Sequence, residues 1–592
     1  MSDDAHVIYE FSGRRLDPAR RQLTHGGKAV AMFPRCFDAL LLLVERRGAL
    51  LEKDFLLQAL WPDVVVDENS LAKVISEVRR TLGEGPRDSG CIVTVPRRGY
   101  RFVADVGVHR IEVRRNAGAA PATSGSPDEE IRALAVLPFS FLNPSPGDET
   151  LPIGLADALI TRLGQLRRTL LRPTSSITRF AGNSPAPALA GRELGVDAVI
   201  AGSLRRAGST LRASVQLVSV ARDAVLWAEQ FDTPSGAALE IEDSISARVA
   251  TALTLTLARG ERPPVAQRQA AHPDAYEHYI RGRYLMSKRT REALLEAVAC
   301  MERAIAIDPR FALAHAGVSE AWVQLGLRAA VSQSRRPHEV MPRARAAAEK
   351  ALALDDSLSE AHATLGQVLF TYEWRRDEGV AEFLRAIELN PNNQNGQHWY
   401  AMALGGLGRF DEALAQIQRA LAVDPLAVIV NANVGFLLYR AGRLDEAVAK
   451  LRHTVAMEPG FVMTRYRLGL ALEALGRYDE AIEEFQAMRP SDADPLGITG
   501  IARTLALMQR REEAQRELER LLEIARNTYV PSALIAGIYI ALGDTGRALD
   551  CLELGVEERA ITLNWLPFDR SWTSLHGNPR FTRILERIGL KG

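Results

Sequence analysis

The chain has 592 residues, enough for about four domains at roughly 150 residues each, or fewer if one part is a repeat array. Apolar residues make up 47% and charged residues 25%, which excludes a disordered chain. The 73 basic residues balance 73 acidic ones, so the chain is no polycation and any nucleic-acid contact must come from a local patch. Four cysteines, Cys36, Cys91, Cys300 and Cys551, lie far apart with no CxxC pair. That argues against a zinc site or a secreted disulfide framework and for a reducing compartment. The acidic, alternating start is no signal peptide, and no apolar run approaches the ~20 residues needed to cross a bilayer. A cytoplasmic protein without a membrane partner is expected.

In chain order, residues 7–11, 14–17, 22–24 and 28–32 read as short strands separated by Ser12-Gly13, Asp17-Pro18 and Gly26-Gly27. Residues 33–46 read as an amphipathic helix with Phe37, Leu40, Leu41 and Val44 inward. Residues 53–60 form a second helix, ended by Trp61-Pro62. Asp67-Glu68-Asn69-Ser70 is an N-cap region leading into a third helix over 71–82. Its Leu71, Val74, Ile75, Val78 and Leu82 make one buried stripe, and the opposite face carries Ser70, Lys73, Ser76, Glu77 and Arg80 with Asn69 at its start. Such a helix fits a DNA major groove, although a surface helix of any small domain has the same pattern. Residues 91–95 and 100–103 are strands of a hairpin whose turn, Pro96-Arg97-Arg98-Gly99, presents two arginines. From Asn69 to Arg101 seven basic residues face three acidic ones, a bias that residues 1–68 lack. A cationic face on a nearly neutral domain is the footprint of phosphate binding.

Residues 7–103 resemble the winged helix-turn-helix effector domain of the OmpR/PhoB response-regulator family. The matching pieces are Gly48 and Leu51, Leu60-Trp61-Pro62, Asn69-Ser70-Leu71, Ile75-Ser76, Val78-Arg79 and Leu82-Gly83. The ending Thr94-Val95-Pro96-Arg97-Arg98-Gly99-Tyr100-Arg101-Phe102 resembles the ToxR/CadC branch. The resemblance implies that residues 71–82 are a recognition helix. It implies that Asn69, Ser70, Lys73, Ser76, Glu77 and Arg80 face double-stranded DNA, and that Arg98, supported by Arg97, enters the adjacent minor groove. Ser76 and Glu77 stand where family members often carry arginines, so a modest sequence preference is expected. Glu77 either accepts from a cytosine amino group or repels phosphate. No receiver domain is expected before residue 7, and the membrane span of the ToxR/CadC relatives is not found after residue 106. Residues 1–106 are therefore expected to form the DNA-binding domain.

Residues 107–130 are expected to be a linker, because 114–130 is small, polar and rich in Pro, Gly and Ser. Residues 131–260 alternate strand-like and helix-like segments and predict an α/β sandwich. Its elements are strands at 133–139, 169–172 and 198–204, a hairpin-like pair at 211–220 and 225–231, and helices at 154–167, 189–195 and 241–258. Ala135-Val136-Leu137-Pro138-Phe139, Gly154-Leu155-Ala156-Asp157, Leu194-Gly195-Val196-Asp197, Gly202-Ser203-Leu204-Arg205-Arg206 and Leu226-Trp227-Ala228 resemble the TolB-N-like domain that precedes repeat arrays in bacterial regulators, cyclases and kinases. Arg172, Ser175, Ser176, Arg205 and Arg206 read as surface residues, with anion binding as the alternative.

Residues 272–592 are helical and repetitive. Gly408-Arg409-Phe410-Asp411-Glu412-Ala413 recurs from Gly442 and again from Gly476, and Pro391, Pro425 and Pro459 keep the same 34-residue step. This resembles the tetratricopeptide repeat. Gly permits the turn, Asp-Glu suits a helix N-terminus, and the small Ala lets two helices approach. Weaker copies centre on Ala297, Gly379, Ala514 and Ala548, giving about eight helix pairs. The tail is expected to close the solenoid, with Trp565, Phe568 and Trp572 over its last apolar face. A stacked array presents a long concave face for protein. Arg281, Gln397, Asn431, Asn433, Arg465 and Tyr466 are candidates to line it, with ordinary packing residues as the alternative.

P-loop, kinase glycine-rich, HExxH and GxSxG motifs are not found, so no enzyme, cofactor or metal is expected. The fold class predicted is multidomain, α/β plus all-α: winged helix, α/β sandwich and helical solenoid. The function predicted is a soluble one-component transcriptional regulator that binds promoter DNA. Its repeats would receive a protein or small-molecule signal, meet RNA polymerase or other proteins, or mediate self-association. The alternatives are a scaffold whose winged helix binds protein, and a cyclase- or kinase-associated sensor.

Overall fold

A computed structural model of the chain describes residues 5–590 apart from 18–21, 26–27, 31–33, 61–67, 83–89, 96–97, 113–130, 143–150, 165–168, 183–184, 208–209, 235–243, 246–271, 328–335 and 489–493. The chain divides into two compact units, residues 1–126 and 127–592.

In the first unit, β1 (Ala5–Phe11), β2 (Arg14–Asp17), β3 (Gln22–His25) and β4 (Lys28–Val30) form an antiparallel meander. The sheet order is β4-β3-β2-β1-β8, where β8 is Gly107–Glu112 and pairs Ala5 with Glu112. Residues 107–112 therefore belong to the sheet and not to the linker expected there. An open edge of β1 would leave a row of backbone groups unpaired, and this segment covers it. Three helices follow the meander: α1 (Pro34–Glu45), α2 (Lys53–Leu60) and α3 (Glu68–Thr81). A second sheet, order β5-β7-β6, combines β5 (Leu50–Glu52) with β6 (Ile92–Val95) and β7 (Gly99–Phe102). β5 has no counterpart in the sequence reading, because three residues carry no period. The two sheets meet in one core, where the Phe11 and Phe102 rings lie edge to face at 5.1 Å. Gly99 is fixed by close approach: a Cβ there would sit 1.9 Å from the Leu51 carbonyl oxygen.

The second unit begins with a mixed sheet of order β11-β9-β12-β13-β14. β9 (Ala133–Val136) is buried on both faces and runs parallel to β11 (Leu170–Leu171) and β12 (Ala198–Ala207). β13 (Thr210–Ser219) and β14 (Ala224–Pro234) extend it antiparallel. β10 (Ser140–Leu142) pairs with β12, and α4 (Leu151–Leu163), α5 (Thr174–Ile177) and α6 (Pro187–Leu194) complete this part. The helix expected at 241–258 lies outside the described residues except for 244–245.

Among the described residues, eight helix pairs follow, from Pro273–Ser287 with Arg291–Ile307 to Ser532–Ala541 with Thr545–Glu557. Gly408, Gly442 and Gly476 take φ of +78°, +81° and +74°, the left-handed conformation that only glycine adopts without strain. Ala413, Ala447 and Ala481 are fully buried on the second helix of each pair. A side chain longer than a methyl would force the pair apart.

The α/β part is seated on the array. Arg172 is buried and its Nη1 donates to the carbonyls of Ala422 (2.6 Å) and Val423 (2.8 Å), at the end of an array helix. Its Nε and Nη2 donate to Leu194 (2.9 Å) and Gly195 (2.8 Å) in its own domain. Arg172 is thus an internal joint and not a surface residue. Ser175 donates to Asp424 at 3.2 Å. Asn392 donates to the carbonyls of Gly164 and Thr169, both at 3.0 Å. Arg283 of the first array helix holds Asp157 of α4 at 2.6 Å and Glu320 at 3.1 Å.

The C-terminal segment returns along the array. Trp565 lies edge to face with Phe436 at 4.9 Å and beside Gly405, and Phe568 packs edge to face on Phe410 at 5.5 Å. Asp569 pairs with Arg440 at 2.7 Å, Asn564 donates to the Thr371 carbonyl, and Arg376 donates to the carbonyl of Ile588. Of the three aromatics expected over the last helix pair, only Trp572 joins the terminal core; Trp565 and Phe568 cover the middle repeats. There Phe436 and Phe410 offer them edge-to-face ring partners, the arrangement that aromatic pairs favour.

Arg172→Met leaves four helix-end and loop carbonyls without their donor. It is expected to destabilise the intact chain by about 3 kcal/mol and to split its urea unfolding into two transitions followed by circular dichroism.

Candidate nucleic-acid interface

The third helix has one face in and one face out. Leu71, Ile75, Val78 and Leu82 are at most 2% exposed and lie in the core that α3 shares with α1 and α2. Ser76 and Arg80 are exposed and Glu77 is half-buried on the opposite face. The helix begins at Glu68, so Asn69 and Ser70 lie in its first turn rather than before it. The side chains of Asn69, Ser70 and Lys73, and all of Arg97, fall outside the described residues.

The cations of this face have distinct jobs. Arg79 donates to the Ile92 carbonyl (2.9 Å) and the Thr94 hydroxyl (2.8 Å), so it ties α3 to the first strand of the wing. Arg14 donates to the Leu82 carbonyl just beyond the helix end. Neither role was visible in the sequence, where Arg79 counted as charge and as part of the Val78-Arg79 match. Arg80 donates from Nε to Glu77 Oε2 at 3.0 Å and closes a second bond through Nη2. This hydrogen bond holds the Glu77 carboxyl below the usual carboxylate range. An exposed pair of this kind is weak, and a phosphate can replace the carboxylate on the guanidinium.

Arg98 sits at the wing turn with its side chain exposed. Its backbone is held from both sides: its N–H donates to Val95 at 3.0 Å and its carbonyl accepts from Lys53 at 3.1 Å. Arg101 is also exposed on β7. Among the described side chains, the candidate interface therefore presents Ser76 and the Glu77–Arg80 pair on the outer face of α3, next to a braced hairpin that carries Arg98.

The array candidates have a different fate. Gln397, Asn431 and Arg465 each donate to the carbonyl six residues earlier, at Pro391 (3.1 Å), Pro425 (2.9 Å) and Pro459 (3.1 Å). Each also meets a residue nineteen later on the second helix: Gln416, Lys450 and Glu484. Gln397 and Asn431 are buried. These positions brace the proline turn of their own repeat. Asn433 is buried and donates to Nε2 of His398. Tyr466 is half-buried with its ring 5.9 Å from Phe485. Arg281 is exposed and pairs with Glu296 at 3.2 Å.

His398 is buried, and burial together with Arg289 and Arg467 lowers its pKa to about 3. Folding therefore keeps it neutral, while the unfolded chain binds a proton near pH 6.5. Its contribution is complete above pH 6.5 and declines as pH falls toward 3. The melting temperature of His398→Gln is expected to fall less steeply than that of the parent between pH 6.5 and 4. Parallel slopes would refute this. Arg79→Met is expected to lower the stability of the first unit by about 1–2 kcal/mol, read as earlier loss of amide protection in β6 and β7.

Residues 27–102 match the family model "Transcriptional regulatory protein, C terminal". Residues 130–248 match "HilA/YgeH-like transcriptional regulator, second domain", where the sequence had suggested a TolB-N-like one. Residues 400–460 and 435–497 match "Tetratricopeptide repeat". "Putative adenylate cyclase 3" of Rhizobium meliloti is 29% identical over 202 residues, 34% of this chain and 34% of that protein. "Transcriptional regulatory protein CutR" of Streptomyces coelicolor is 36% identical over 96 residues, 16% of this chain and 42% of that one. "Transcriptional activator CadC" of Escherichia coli is 31% identical over 92 residues, 15% and 18% of the two chains. The chain thus spans less than half the length of each of these relatives. No helix among the described residues is long and apolar enough to cross a membrane. In order, the chain carries an OmpR/PhoB-type winged helix-turn-helix domain, a HilA-like second domain and a tetratricopeptide array.

Proposed function

We propose that this chain is a DNA-binding transcriptional regulator acting in the cytoplasm. The observation that carries this reading is the outward face of α3 beside a wing whose exposed Arg98 is fixed by two backbone hydrogen bonds. A groove-inserted helix needs an outward polar face, and a minor-groove contact needs a cation on a stiff support. The match of residues 27–102 to a transcriptional-regulator family supports it. Ser76, Glu77, Arg80 and Arg98 are the contacts proposed among the described side chains, with Asn69, Ser70, Lys73 and Arg97 beside them.

Protein partners are proposed for the array, RNA polymerase or a second copy of the chain among them. Because the C-terminal segment covers the middle repeats, such a partner meets the second helices of the pairs rather than the row of Gln397, Asn431 and Arg465. The reading is not enzymatic, and the intact chain is expected to turn over no ATP to cyclic AMP.

Binding sites selected from random duplex DNA by the intact chain supply the probe. On that probe Arg98→Ala is expected to weaken binding about 5-fold and to lower the slope of log affinity against log salt by about 1. An unchanged slope would remove Arg98 from the interface, and failure of the parent to retain any duplex at low salt would remove the function.

A further inference from the structure

Three arginines lie close together on consecutive first helices of the array: Arg440 on Val428–Arg440, Arg467 on Val462–Ala474 and Arg503 on Pro495–Leu507. Two of them are neutralised. Arg440 pairs with Asp569 of the C-terminal segment at 2.7 Å, and Arg503 pairs with Glu473 at 2.9 Å. Among the described residues, Arg467 meets neither a carboxylate nor a hydrogen-bond acceptor. Its partner is the Phe436 ring, whose centre lies 4.9 Å from its guanidinium carbon, and Arg440 is equally close to the same ring. Arg467 is half-buried, and burial together with Arg440 lowers its pKa to about 9. Its Nη1 is sealed from solvent without an acceptor, whereas Nε and Nη2 are not sealed. A guanidinium drawn out of water beside another cation is costly until an anion meets it, and an aromatic face offsets only part of that cost.

The surroundings select the kind of anion. Arg467 and Arg289 both help to keep His398 neutral, so positive potential extends along the first helices beyond Arg467 itself. Such a field favours a doubly charged group over a single carboxylate. The planar guanidinium fork matches two oxygens of a phosphoryl group. Trp565 and Phe568 already cover Gly405, Phe436 and Phe410 nearby, which obstructs a chain-like ligand running along the middle repeats and leaves room for a small one. We propose that Arg467 binds the phosphoryl group of a small phosphorylated molecule, with Nε and Nη2 donating to two of its oxygens. The bound anion supplies the counter-charge that the chain itself gives to Arg440 and Arg503 and withholds from Arg467. The site is independent of DNA binding by the winged helix, and it gives the array a small-molecule effector beside its protein partners.

Isothermal titration and thermal melting of the intact chain, in phosphate-free buffer at constant ionic strength, test this with inorganic phosphate and glycerol 3-phosphate, each up to about 10 mM. At least one is expected to bind in the submillimolar range and to raise the melting temperature, and the tighter of the two identifies the source as free phosphate or an ester. Acetate is expected to bind at least about 10-fold more weakly. Arg467→Met is expected to weaken phosphate binding at least about 10-fold while the ligand-free variant melts no earlier than the parent, because an uncompensated charge has left and the stem still packs on Phe436. Arg467→Lys, which keeps the charge and loses the fork, is expected to bind with intermediate affinity. Arg98→Ala is expected to keep the parental phosphate affinity, which separates this site from the nucleic-acid interface. No binding by either phosphate probe, equal binding by acetate, or parental affinity in Arg467→Met would overturn the proposal. So would a markedly earlier melt of ligand-free Arg467→Met, since it would mean that Arg467 is already compensated within the chain.

Discussion

A helix ends with carbonyl oxygens that have no partner within it, and burying such an end against another element requires a donor from elsewhere. In this chain arginine supplies that donor at joint after joint. Arg172 bridges the ends of an array helix and of α6, Arg376 reaches Ile588, Arg559 reaches Tyr372, and Arg511 reaches Leu542. In the first unit Arg14 does the same for Leu82 beyond α3. The guanidinium suits the task because its planar fork carries five donors and stays charged when desolvated. A lysine would offer a point charge to the same set of oxygens and satisfy fewer of them. The seating of the HilA-like domain on the repeats, and the return of the C-terminal segment, both include this kind of bond beside ion pairs, amide donors and ring contacts.

The same residue type divides its work at the candidate nucleic-acid interface. Arg79 faces inward and sets the distance between helix and wing, Arg80 is held by Glu77, and Arg98 stands clear. Counting charge along this stretch overstates what is free to meet phosphate. The geometry instead separates cations that shape the surface from those that project from it, and only the latter set salt dependence.

Much of this was legible in the residues. The apolar stripe Leu71, Ile75, Val78 and Leu82 is buried as its helical spacing required, and the 34-residue step of Gly408, Gly442 and Gly476 corresponds to three turns with positive φ. What the residues hid were effects between distant segments. β8 has no alternation of its own and becomes a strand only because β1 has an unpaired edge. Arg172 looks like any surface cation until carbonyls 250 residues away come within reach. Gln397, Asn431 and Arg465 share a face at the 34-residue step, but the residues alone do not show that each donates to the proline carbonyl six positions earlier. Periodicity reports which side of an element is distinct; it does not report what that side meets.

The return of the C-terminal segment sets an order of events during synthesis. The helices that carry Gly405 and Phe436 leave the ribosome more than a hundred residues before Trp565 does. At typical elongation rates the inner wall of the middle repeats is bare for on the order of ten seconds. A nascent chain paused there, or a product cut short by a frameshift after the seventh helix pair, exposes aromatic and arginine side chains that the finished protein hides. Such fragments are natural clients for chaperones and proteases, so cells carrying late nonsense alleles should lose the whole polypeptide rather than its tail alone.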